Sequence, residues 1–112
     1  MPQFIFVYVG GNQSSSPEEQ KQHFSKYMKW LSALGDAAVS PANPFKNTKT
    51  ISPDGKVGTG SSTGISGYTI IETDSMTSAL TIAKGCPFLD IGGSLEVSEL
   101  VEMPFKESPP PG

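Results

Sequence analysis

The run Phe4-Ile5-Phe6-Val7-Tyr8-Val9 stops at Gly10-Gly11-Asn12. Six aromatic and β-branched residues closed by a glycine pair predict a strand, and apolar side chains on both parities predict one covered on both faces. Tyr68-Thr69-Ile70-Ile71, opening the segment 68–73, has the same character. Two such strands belong at the centre of a sheet.

Between them, Ser16-Pro17-Glu18-Glu19 is a dense helix-start signal. Ser16 suits the cap, Pro17 the first helical position, and Glu19 completes a capping box while both carboxylates face the positive end of the helix dipole. Phe24, Tyr27, Met28, Leu31 and Leu34 follow at helical spacing as the apolar face, and Gly35 suits the position past the end, so a helix is predicted over 17–34. Ala37-Ala38-Val39 reads as a short strand before Pro41, with Pro41 to Pro44 as a turn. Lys49-Thr50-Ile51 and Lys56-Val57 flank Pro53-Asp54-Gly55, the pattern of a short hairpin. Five glycines among Ser and Thr make 55–67 a flexible loop, a lid or slack.

Asp74 or Ser75 caps a second helix carrying Met76, Ala79, Leu80 and Ala83, ended by Gly85 and blocked by Pro87. Leu95 to Met103 then alternates as a strand with one solvated face, Glu99 breaking the apolar parity. The order strand, helix, strand or hairpin, strand, helix, strand predicts an α+β, ferredoxin-like βαββαβ fold, with both helices on one face of a four-stranded antiparallel sheet. No third helix remains for the opposite face. Leaving its Ile, Val and Phe side chains in water forgoes about 1.5–3 kcal/mol for each large side chain, so a homodimer packed sheet against sheet is expected.

Composition narrows function. With 112 residues a single domain over 1–104 is expected, followed by a Pro-rich tail, 105–112, that is extended or disordered. A formal charge of −3 with no Arg argues against nucleic-acid binding. The longest apolar run has six residues, far short of the ~20 of a membrane helix. One Cys and no secretory pattern fit the cytoplasm. One His, one Cys and scattered carboxylates give no metal-ligand spacing, and no cofactor is expected. Gly10-Gly11-Asn12 and Gly58-Thr59-Gly60 lack the features of phosphate cradles and read as turns.

The chain resembles the YCII-related family, including its DGPF-type branch. The resemblance rests on the opening strand and on Gly67-Tyr68-Thr69-Ile70-Ile71-Glu72, Asp74-Ser75, Ala79-Leu80, Ala83-Lys84-Gly85-Cys86-Pro87 and Gly92-Gly93-Ser94-Leu95-Glu96-Val97. Gly35 to Val39, followed by Asn43-Pro44, looks like a feature of the branch. The family implies a small dimeric α+β barrel with a pocket in each subunit. Its prototype pairs a His on the first helix with an Asp before the Pro after the second. His23 matches the first position, whereas Cys86 occupies the second, and Asp54-Gly55-Lys56-Val57 is the nearest match to the DGPF motif.

His23, Tyr27 and Trp30 fall within about 60° of one another on the first helix, beside the apolar face. A neutral imidazole there suits a general base, with Tyr27 and Trp30 orienting a ligand. The alternative is that the two aromatics border the core and His23 pairs with Glu19 one turn earlier. An inward Glu99 would offer a second acid or base, unless the strand is bulged or reaches water. Cys86 follows a helix C-terminus, which disfavours a thiolate, and reads as a small buried thiol. Two functions are therefore in view: a cofactor-independent enzyme using His23 for proton transfer on a small organic molecule, or a non-catalytic module binding small molecules or proteins.

Overall fold

The computed structural model describes residues 1–11 and 16–102. The strands are β1 (Gln3–Gly10), β2 (Ala38–Pro44), β3 (Lys49–Ile51), β4 (Val57–Thr59), β5 (Ile65–Glu72) and β6 (Gly93–Glu99); the helices are α1 (Pro17–Ala33) and α2 (Met76–Lys84). Short 3-10 turns follow each helix, at Gly35–Ala37 and Pro87–Ile91. The Pro-rich tail and Met103 lie outside the described residues, and the last strand, expected to run on to Met103, ends at Glu99.

Strands β2, β5, β1 and β6 form one sheet in that order, all neighbours antiparallel. This is the ferredoxin-like arrangement, with the two doubly apolar strands at its centre. Both helices cover one face: Phe4, Phe6 and Ile71 pack with Ala79 and Ala83 of α2, joined by Trp30 and Leu34 from the α1 side. The small Ala79 and Ala83 let α2 lie close to the strands. The least dimension of the molecule is 19 Å, room for one helical layer and one sheet. The other face, with Ile5, Val7, Val9, Tyr68 and Ile70 only partly buried, carries no helix among the described residues.

The capping signals act as written. Ser16 Oγ accepts the Glu19 N–H at 3.1 Å, and Ser75 Oγ accepts the Ser78 N–H at 3.1 Å. Asp74 braces the second cap by accepting from Ser78 Oγ at 2.6 Å, which holds its carboxyl below the usual range.

Three expectations are corrected. Pro41 to Pro44 is strand, because β2 lies at a sheet edge where missing N–H groups cost no ladder bonds. Two register shifts bulge it, and Asn43 Nδ2 ties the second bulge by donating to the Ser40 and Tyr68 carbonyls. The 55–67 loop is ordered: β4 pairs with β3, and Ser61 Oγ accepts the N–H groups of Thr63, Gly64 and Ile65 before β5 begins. The apolar face of α1 is also rotated. Leu31 is buried, but Phe24 and Met28 are 62% and 43% exposed, while Trp30 and Leu34 pack on the core. The Trp30 indole N–H supplies the reason, because it reaches the Ile82 carbonyl at 3.1 Å and turns the helix towards α2.

Candidate functional site

The rotation of α1 carries His23, Tyr27 and Trp30 inward as one row. The rings of His23 and Tyr27 are 6.5 Å apart and inclined by 17°, and those of Tyr27 and Trp30 are 6.0 Å apart and inclined by 27°. Both spacings fall in the offset-stacked range. Trp30 continues the row into the core against Phe6 at 6.3 Å. All three side chains are half-buried, so the row has one face on protein and one towards water.

Tyr8 anchors it from below. Its side chain lies on the helix-facing parity of β1 and is 6% exposed. The Tyr27 hydroxyl donates to Tyr8 Oη at 2.9 Å, Tyr8 is hydrogen-bonded to Thr69 Oγ1, and Thr69 donates to the Pro41 carbonyl at 2.7 Å. The edge bulge is what brings that carbonyl over β5. Gly67 permits the close approach, since a Cβ there would meet the Asn43 oxygen at 2.9 Å. Burial pushes the Tyr8 phenol far above its ordinary range, against the opposing effect of the Thr69 hydrogen bond, so it stays neutral.

Phe88, from the 3-10 turn after α2, closes the other side, edge-on to Tyr8 at 5.2 Å. Its ring lies where a Cβ on Gly93 would stand, 2.2 Å from Cε2. Cys86 beside this turn is 2% exposed, and its thiol is pushed up to about 11, chiefly by burial. It therefore stays protonated at neutral pH, giving His23 no acidic partner at that position.

Glu99 stands apart. It lies opposite Phe4, whereas Tyr8 lies opposite Leu95, so at ~3.3 Å per residue it is about 13 Å along β6 from the Tyr8 end, and it is exposed. Among the described residues no three His, Cys, Asp or Glu side chains come together as a metal would need. No helix among them is long and apolar enough to cross a membrane.

Tyr8, Thr69 and Phe88 were not singled out by pattern. A usable signal was present for the first two: both are polar groups on the buried parity of central strands, and a buried hydroxyl needs a partner.

No protein-family model matches the chain, and no curated protein matches it in sequence. Among solved structures it is similar to the 5-chloro-2-hydroxyhydroquinone dehydrochlorinase of Burkholderia phenoliruptrix AC1100, in complex with 2,5-dihydroxybenzoquinone. The identity is 14% and the TM-score 0.57, over 90% of this chain and 95% of that one. At this identity the likeness shows the fold alone, and it supports the fold that the YCII resemblance implied.

Proposed function

We propose that this chain is a homodimeric protein of YCII-related type that binds a small planar organic molecule against His23, Tyr27 and Trp30, with His23 exchanging a proton with it and no cofactor taking part. The stacked row carries the reading. Aromatic side chains placed in series on one helix, braced beneath by a hydroxyl chain, form a rigid apolar shelf with a titratable ring at its outer end. A similarly folded enzyme solved with a planar six-membered ring supports the same class of ligand. Glu99, distant and exposed, has no part in this reading.

The uncovered sheet face supports the dimer. Four strands about 4.8 Å apart and about 26 Å long present a footprint of about 500 Å² per copy, so two copies bury about 1,000 Å², the least that a specific interface needs. A single buried thiol suits a reducing, cytoplasmic setting.

The exposed Phe24 and Met28, with Ile51 and Val57 at 70% and 63% exposure on the hairpin, favour the alternative of a protein-interaction module. A thermal-shift screen of small aromatic metabolites on the wild-type protein and on His23→Ala separates the two. The proposal expects hits that weaken in the variant and move the Trp30 indole signal. Hits indifferent to both, or none, overturn it.

A further inference from the structure

The hydroxyl chain beneath the shelf has only one possible direction. The Pro41 carbonyl can only accept, so the single proton of Thr69 Oγ1 is committed to it at 2.7 Å. Thr69 must then accept from Tyr8, whose own proton is thereby spent. Tyr8 in turn accepts from Tyr27 at 2.9 Å. Each hydroxyl has one proton, and all three are used in sequence towards the edge strand. The chain ends on an amide oxygen, which takes no proton at ordinary pH, so it conducts nothing and fixes polarity only. Tyr8 cannot break the order by ionising, because its burial opposes the phenolate.

We infer that Tyr27 meets its ligand as a hydrogen-bond acceptor only, so the shelf selects planar rings that direct an O–H or N–H at the Tyr27 oxygen and rejects those directing a carboxylate, ether or carbonyl oxygen there. This rests on the shelf reading above and adds the sign of the polar contact. The Tyr27–Tyr8 bond is part-buried and the Tyr27 proton is spent in it, so lone pairs are what the Tyr27 oxygen has left to offer a ligand. Two acceptors facing each other across that atom would leave both unpaired and partly desolvated, the costly side of hydrogen-bond asymmetry.

The test compares three para-substituted toluenes on the intact chain: 4-methylphenol and 4-methylaniline, which can donate, and 4-methylanisole, which can only accept and whose extra methyl is controlled by the variants below. Binding is followed by NMR at the single indole N–H of Trp30. The phenol, the aniline or both bind on the order of tenfold more tightly than the anisole, the value of one well-made hydrogen bond, and the two donors distinguish O–H from N–H recognition. In Tyr27→Phe the ratio falls to about one. In Tyr8→Phe the Tyr27 proton is released, and the anisole gains relative to the donors although Tyr27 is still present. Equal binding of all three to the wild-type protein, or a preference that survives Tyr8→Phe unchanged, overturns the inferred polarity and leaves the shelf standing. No binding by any probe at the indole signal overturns the shelf, and the inference with it.

Discussion

Thr69→Val and Tyr8→Phe remove adjacent members of one hydroxyl chain, yet the structure sets unequal costs for them. Valine keeps the shape of threonine but strands the Tyr8 hydroxyl, which is 6% exposed and has given its proton to Thr69. The lost bond to Pro41 and one buried unsatisfied donor together cost about 2–3 kcal/mol. Tyr8→Phe leaves Thr69 bonded to Pro41, and the released Tyr27 proton can reach water from its half-buried position. That costs about 1–1.5 kcal/mol. For 112 residues the unfolding entropy is about 0.24 kcal/mol per kelvin, so the drops in Tm are roughly 10 °C and 5 °C. In the double variant the stranded hydroxyl is gone, and its stability should lie close to that of Thr69→Val alone. Urea and thermal unfolding of the four proteins give the coupling, expected at about 1–1.5 kcal/mol, the whole cost of Tyr8→Phe. Additivity within about 0.5 kcal/mol, or a smaller loss for Thr69→Val than for Tyr8→Phe, refutes the directed chain.

Gly93→Ala drives a methyl to 2.2 Å from the Phe88 ring, and overpacking of this kind costs about 1–3 kcal/mol; an unchanged Tm would show that Phe88 is not held there. Val7→Lys places a charge amid the open sheet face, and sedimentation should fall from twice 11.8 kDa to the single-chain mass; a wild-type protein already at that mass refutes the dimer. Cys86 and Tyr8 both hold their protons more tightly when folded, so the unfolded chain ionises first as pH rises. The stability they contribute is intact below the ordinary thiol value of 9.0 and is lost as pH climbs towards and past about 11, which Tm measured from pH 7 to 11 will show as an alkaline decline. Ser16→Ala removes the α1 cap and should cost about 1 kcal/mol by urea unfolding.

The central strands, both helix starts and the hairpin turn were legible because each rests on local chemistry: parity, capping oxygens, and Asp54 accepting the Lys56 N–H at 3.1 Å. The orientation of α1 was not. Spacing weighs Phe24, Met28 and Leu31 as equals, whereas the fold follows the one indole whose N–H needs a carbonyl 52 residues away. His23, Tyr27 and Trp30 could be placed on one side of a helix, but not over Tyr8, since that depends on sheet order. The start of β2 was read at Ala38 and Val39, but its second half was hidden by its prolines, which forbid a central position and permit an edge.

Those prolines also govern how the sheet meets other sheets. An unpaired strand edge is a template on which further chains can polymerise into fibres, and β2 offers a poor one: Pro41 and Pro44 carry no donor, and two bulges interrupt its line. At the opposite border β6 carries exposed Glu96 and Glu99, and the outlying β3 and β4 are only three residues each. Lateral growth is thus disfavoured at both borders, so that if these sheets associate, the uncovered apolar side is the less guarded route.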